Sequence, residues 1–451
     1  MHPPPCTCWH PPQVAASRPV LLTPSQAELD QTRVAGGCAA LRRGDRLALV
    51  VPGSPRLVTA VMGALRAGIV PVVLDPATPA AELAALLRDA DPALVVDTPD
   101  ALDALHAHAP AELAPVPLGR PMHFTSGTTG RRKGVTSGVL EVDTARALWA
   151  EEAQLWGFGP PDVHIVVSPL YHSAPLRFAI GTLLAGGAVV VPSRFSPQQF
   201  LDLAAEYRPT TMFTAPAQLQ RLRECGDART PAVLGGFRLI AHAGAPCPEP
   251  VKRWLLELAA PEAVWEFYGS TEGQFTACSA ADWLAHSGTV GRARPGRTLR
   301  TDPDGTIWCA VPGHARFSYW RAEEQTAAAW RQTPDGPAFT VGDLGRLDDD
   351  GWLYLDGRCD DLIITGGVNV YPLEVERVLE QCPGVREVAV YGVDDARWGQ
   401  RVEAAVVGSV AAVDAWAREQ LAPAQRPKAV HLLDALPRTS TGKVLRSALR
   451  A

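Results

Sequence analysis

The sequence predicts an α/β protein. A large N-terminal region of helix-covered, mainly parallel sheets carries a β subdomain, and a small α+β C-terminal domain follows. Three observations carry this. Short β-branched runs alternate with Ala/Leu-rich helical stretches over most of the chain, the pattern of a parallel sheet covered on both faces. Turn signals crowd in after about residue 285. Past Asp360 comes a mixed unit of about 90 residues, enough for a separate small domain. The 451-residue length is also too great for one core.

Taken in order, "RLALVV" (46–51) reads as a strand and "PRLVTAVMGALRAG" as a helix closed by Gly68. "IVPVVL" (69–74), the helix "PAAELAALLRDA" and "ALVV" (93–96) continue the alternation. It resumes with strands at 163–168, 188–192, 211–214, 237–244 and 263–269, separated by helix-length sequence. Turn dipeptides at 295–296, 312–313 and 335–336, with short strands such as "GTIWCAV" and "GWLYL", mark an antiparallel β subdomain. The last unit reads "DLIIT", a helix at "PLEVERVLEQC" started by Pro372, two strands, a helix at "AAVDAWAREQL" and the strand "KAVHLL". These patterns divide the chain into a disordered Pro-rich tail (1–25), an N-terminal domain (26–359) and a C-terminal cap (360–451).

Several function classes are excluded. A net charge of -6 leaves no basic footprint for nucleic acid. Apolar runs such as "GTLLAGGAVVVP" are far too short to span a bilayer. The start "MHPPPCTCWHPP" has neither the charged nor the apolar region of a secretory signal. Nine scattered cysteines read as reduced thiols of a cytoplasmic protein. Cys6 and Cys8, near His2 and His10, read as tail rather than as metal ligands. Only four of the 42 basic residues are lysine: Lys133, Lys252, Lys428 and Lys443. A lysine surviving in such a sequence points to a need for a compact ammonium.

The stretch "FTSGTTGRRKGV" (124–135) concentrates glycines, hydroxyls and a lysine. Gly127 and Gly130 permit close backbone approach. Backbone N–H groups and the hydroxyls of Ser126, Thr128 and Thr129 can donate to phosphate oxygens, and Lys133 adds charge. It follows a strand and precedes helix-like sequence. It is not a Walker loop, because Gly134 and Val135 follow Lys133.

With this loop, further segments make the chain resemble the AMP-forming adenylating superfamily of acyl- and aryl-CoA synthetases. They are "PLYHSAP" (169–175), "GAPCP" (244–248), "EFYGSTEG" (266–273), the stretch from "VGDLG" to "GGVNVYPLEVE", and "PRTSTGKVLR" (437–446). They occur in the family's order from about Gln26 to Ala451. The resemblance implies attack of a carboxylate on the α-phosphate of ATP, giving an acyl-adenylate and pyrophosphate. Catalysis would be mostly positioning and electrostatics.

The resemblance also implies site residues. Thr125, Ser126, Gly127, Thr128, Thr129, Gly130 and Lys133 would cradle phosphates. Glu272, after Thr271, would hold Mg²⁺, which takes few protein carboxylates. Gly244, Ala245, Pro246, Glu266, Phe267, Tyr268 and Gly269 would shape the adenine and acyl pockets, with Tyr268 stacking on adenine. Asp343 would accept from the ribose hydroxyls, which a two-oxygen acceptor suits, with Arg358 beside it. Asp360 would be the hinge about which the cap alternates. One orientation brings catalytic Lys443 to the α-phosphate, and the other presents Gly366 and Gly367 to the thiol acceptor. His172 would stand between the acyl pocket and the acceptor tunnel.

The expected reaction is ligation of an aromatic or fatty acid to CoA. A secondary-metabolism relative with another acceptor is the alternative: an amide synthetase, or an ATP-dependent diazotase activating nitrite for an arylamine. A dimer is compatible with the sequence. Arg132 departs from the family's loop, which has Pro before the lysine, and Val341 stands where Thr is usual.

Overall fold

The computed structural model describes residues 20–125, 132–438 and 444–450. Its strands, numbered along the chain, begin with β1 (Val20–Leu22). Next come β2 (Arg46–Leu49), β3 (Val70–Val73) and β4 (Leu94–Val96), a parallel three-stranded sheet in the order β3-β2-β4. β5 (His123–Thr125) and β6 (Lys133–Thr136) form an antiparallel hairpin. β7 (Val163–Val166), β8 (Ala188–Val191), β9 (Thr211–Thr214), β10 (Leu239–His242) and β11 (Val264–Glu266) run parallel at the centre of an eight-stranded sheet. β12 (Thr276–Ser279) and β13 (Arg292–Ala293) close it on one side and β1 on the other, all antiparallel. The order is β1-β8-β7-β9-β10-β11-β12-β13.

The central strands are buried on both faces, with Ile165, Val189, Val190, Ile240 and Ala241 all fully inaccessible. This is why they read as continuous apolar runs rather than as alternations. Their helices begin with a recurrent device. Thr23-Pro24, Ser54-Pro55, Thr98-Pro99 and Ser196-Pro197 each start a helix, the hydroxyl accepting from the N–H three residues on. Proline adds a helical φ at a position whose N–H needs no partner.

The β subdomain contains β14 (Thr298–Thr301), β15 (Ile307–Ala310), β16 (Ser318–Tyr319), β17 (Trp330–Thr333) and β18 (Gly336–Phe339). β16 leaves that sheet to pair with β6. β19 (Asp343–Leu347) and β20 (Leu353–Arg358) form a ribbon. The last sheet contains β21 (Ile363–Thr365), β22 (Val368–Val370), β23 (Val385–Asp395), β24 (Gly399–Gly408) and β25 (Ala429–Leu433). Its own core joins Ile363, Val375, Leu379, Val390, Val402, Val406 and Val413.

Two expectations need correction. Part of the segment assigned to a tail is folded: Val20–Leu22 pair with β8, and a helix runs over Pro24–Gly37. The glycine- and hydroxyl-rich stretch runs into strand β6, not directly into a helix, and the next helix starts only at Val142. No helix among the described residues is long and apolar enough to cross a membrane.

Candidate active site

The β5–β6 hairpin sets Thr125 opposite Lys133, and the Thr125 hydroxyl donates to the Lys133 carbonyl at 3.4 Å. Ser126, Gly127, Thr128, Thr129 and Gly130 lie between these anchors, outside the described residues, as does Lys443. Lys133 Nζ stands 5.0 Å over the ring of Tyr319. Tyr319 is delivered there by β16, whose register sets it against Val135 of β6. Its hydroxyl donates to Glu272 Oε1 at 3.0 Å. Burial, reinforced by the Glu272 charge, pushes the Tyr319 pKa well above its usual value, which keeps it a donor. Lys133, Tyr319 and Glu272 therefore form one chain of contacts linking the loop anchor to the carboxylate.

Glu272 is buried at the end of a tight turn. Ser270 N–H donates to Gly273 O at 2.8 Å, and Glu272 N–H to Ser270 Oγ at 3.2 Å. The turn requires Gly269, where a Cβ would lie 2.7 Å from Gly273 O. Arg120 donates from Nη1 to the Glu272 carbonyl at 3.3 Å. Thr271 is half-buried beside it.

A second cluster forms where β19 meets β20. Register places Asp343 opposite Arg358, and Arg358 Nε donates to Asp343 Oδ1 at 2.9 Å. Tyr268 OH donates to the other oxygen, Oδ2, at 2.6 Å. Burial and the Asp343 charge raise the Tyr268 pKa well above normal. Gly244, at φ +94, turns the chain where β10 ends, and Ala245 and Pro246 follow. Gly244–Pro246 and Tyr268–Gly269 thus converge on the carboxyl ends of adjacent parallel strands, where open α/β sheets bind ligands.

Two expected residues turn their side chains elsewhere. Glu266 closes a buried ion pair with Lys252, whose ammonium also lies 4.4 Å from the Trp283 ring. Phe267 packs in an aromatic core with Trp156, Phe178 and Phe213. Alternation along β11 and its extension accounts for Phe267, which faces opposite to Tyr268, whereas Glu266 is held by its ion pair with Lys252. His172 is the N-cap residue of the Ser173–Leu184 helix and meets Tyr171 edge-on at 4.6 Å. Gly366 and Gly367 form the two-residue β21–β22 turn at φ +59 and +80, which glycine favours.

Among the described residues no group of three His, Cys, Asp or Glu could hold a metal. Glu272 would therefore hold Mg²⁺ only in company with phosphate oxygens and water, which suits that ion. Sequence reasoning missed Tyr319, Arg120 and the role of Lys252. Only Lys252 carried a signal, as a lysine in a chain that otherwise prefers arginine.

The profile of the AMP-binding enzyme family matches residues 10–118 and 121–313, and that of the AMP-binding enzyme C-terminal domain matches 374–443. A feruloyl-CoA synthase of Amycolatopsis sp is 31% identical over 468 aligned residues, spanning 94% of this chain and 93% of its own. The long-chain-fatty-acid–CoA ligase FadD13 of Mycobacterium tuberculosis is 30% identical over 488, spanning 97% and 94%. Among solved structures, ATP-bound MatB from Rhodopseudomonas palustris superposes with a TM-score of 0.83 at 32% identity, covering 94% of this chain and 92% of its own. The amide bond synthetase McbA from Marinactinospora thermotolerans gives 0.81 at 25% identity, covering 94% of each.

Proposed function

The chain belongs to the AMP-binding enzyme family as an AMP-forming, acid–CoA-ligase-like enzyme, and on that premise we propose that it adenylates a carboxylate with ATP and passes the acyl group to CoA. The observation that carries the reading is the contact chain from Lys133 through Tyr319 to Glu272. It joins a phosphate-loop ammonium to a buried carboxylate, as a polyphosphate with its counter-ion needs.

In the first step a carboxylate oxygen bonds to the α-phosphorus, and the bond to pyrophosphate breaks, its electron pair leaving with pyrophosphate. Lys133 would offset charge on the triphosphate tail, and the hydroxyls of Thr125, Ser126, Thr128 and Thr129 would donate to its oxygens. Glu272 would hold Mg²⁺, which when bound supplies charge neutralisation on the phosphates. Tyr268 would present its ring to adenine. The Asp343 carboxylate, already oriented by Tyr268 and Arg358, would accept from ribose. Lys443 would meet the α-phosphate when the cap turns about Asp360. In the second step the thiol attacks the activated carbonyl and AMP leaves. The alternation would expose Gly366–Gly367 to the acceptor.

The names of the relatives support a CoA acceptor, and the likeness to an amide bond synthetase keeps an amine as the second reading. Pyrophosphate release with ATP and a panel of acids, with and without CoA, tests the proposal. Acid-dependent release followed by a CoA thioester is expected. Absence of release with every acid, or unchanged adenylation in Lys443→Ala, overturns it. Amide formation with an amine but no thioester would favour the second acceptor.

A further inference from the structure

Directly after Glu272 the chain runs along a small buried cavity of about 20 Å³. Gly273 and Gln274 form one side. Glu151 and Glu152 enter from the Val142–Trp156 helix, Arg177 from the helix that His172 caps, and Arg120, Arg294 and Arg297 from connecting segments. Four guanidinium groups therefore face two carboxylates. The Arg294, Arg297 and Glu152 side chains are only 2%, 4% and 6% exposed. Excess buried positive charge is costly unless a counter-ion completes it. Its effect is visible on Arg120, whose pKa is pushed down to about 10 by burial and then by Arg177 and Arg297.

The polar groups are also incompletely satisfied. Arg297 pairs with both oxygens of Glu151, and Arg294 Nη1 donates to Glu152 at 3.3 Å. Yet Arg294 Nε and Nη2, Arg297 Nε and both amide atoms of Gln274 have no hydrogen-bond partner in the protein. Buried groups of this kind are normally satisfied. The cavity exceeds the roughly 10–15 Å³ that one water needs and falls far short of the roughly 300–1,000 Å³ of pockets for drug-sized ligands. Beside it Trp156, Phe178, Phe213 and Phe267 fill the space under the strand ends, and the Arg177 guanidinium sits 5.8 Å over Phe267.

We propose that this cavity seats the substrate anion and selects a compact oxyanion, two oxygens on one small central atom as in nitrite or formate, over an aromatic or fatty acid. The inference rests on the adenylation step of the reading above, keeping the smallest carboxylate as substrate and adding nitrite, for which no acyl transfer to CoA would follow. One anion oxygen bonds to the α-phosphorus as pyrophosphate leaves with the electron pair, so no oxidant or reductant is needed. The product is a mixed anhydride with AMP. The guanidinium groups hold the anion, and the Gln274 amide donates to its second oxygen.

ATP–pyrophosphate exchange by the full chain with nitrite, formate, acetate, succinate, octanoate and ferulate is the test. Nitrite or formate should exceed octanoate and ferulate at least 10-fold in kcat/KM. Gln274→Leu and Arg177→Lys should each raise the KM of the small anion at least 10-fold, with the KM of ATP changed less than 2-fold. Gln274→Leu removes two unsatisfied groups at similar volume and should fold, as its melting temperature will report. Exchange driven better by octanoate or ferulate, or unaffected by both substitutions, overturns the proposal while leaving adenylation standing. If no anion drives exchange, calorimetric titration with sodium nitrite and sodium formate in the absence of ATP separates the two ideas. Binding lost in Gln274→Leu supports the anion seat although the adenylation reading has failed. No binding overturns the seat as well.

Discussion

Tyr319 illustrates what a single hydroxyl contributes here. It orients the Glu272 carboxylate and lies under the Lys133 ammonium. Groups that orient a metal-binding carboxylate typically matter by about 10–100-fold in metal affinity or activity. Tyr319→Phe should therefore raise the Mg²⁺ concentration needed for half-maximal pyrophosphate release by about that factor. Glu272→Gln should lower the rate at saturating Mg²⁺ by about 100-fold or more, as loss of a transition-state charge contact does. Both are read by titrating Mg²⁺ at fixed ATP. Glu272 and Asp343 stood out in the sequence because each sits among glycines in a short polar motif. Tyr319 did not, because its place is set by pairing between strands about 180 residues apart in the chain. The side-chain directions of Glu266 and Phe267 were not legible either. A motif names a segment, whereas pleating sends successive side chains to opposite faces.

At the scale of elements, the Lys252–Glu266 pair ties the Glu249–Leu258 helix to β11. Removing one member of a buried pair leaves the other uncompensated, at about 3–5 kcal/mol. Lys252→Met should lose about that much stability in chemical denaturation, and Lys252→Met with Glu266→Leu should recover most of it. A double-variant loss equal to the sum of the Lys252→Met and Glu266→Leu losses would show that the pair is not coupled. In the C-terminal sheet, the β21–β22 turn depends on Gly366, where a Cβ would lie 2.9 Å from the Trp398 ring as well as facing a positive φ. Gly366→Ala should cost about 1–2 kcal/mol, measured by the same denaturation. The strands and helices of the first half were legible nearly to the residue, because fully buried parallel strands need unbroken apolar runs. The β6 hairpin arm was hidden. "KGVT" is too short and mixed to show a period, and its burial comes from β5 and β16.

For the whole molecule, four buried histidines set an acid limit, His106 among them with its pKa lowered by burial. Burial pushes His123 and His164 down to about 3 and His242 down to about 4, the neighbouring His172 adding to the effect on His123. In the unfolded chain each would titrate near 6.5. The unfolded state therefore takes up protons that the folded state refuses. Stability should be fully present above about pH 6.5 and decline as pH falls toward 4, by up to about 1.4 kcal/mol per pH unit for each histidine. Urea midpoints between pH 7.5 and 4.5 check this, and a flat profile would contradict it. The fold class was legible across the chain because periodicity is a property of long stretches. The charged cavity was not, since its arginines come from three separate segments and resemble the surface arginines that abound in this sequence.

The short strand β1 has a practical meaning. Its three residues cover the hydrogen-bonding margin of β8, which would otherwise stand open at the rim of the main sheet. Bare margins of this kind recruit strands from other molecules. A shortened gene that begins at Ala27 should therefore yield insoluble, self-associating protein, while one that begins at Arg18 keeps the seal intact.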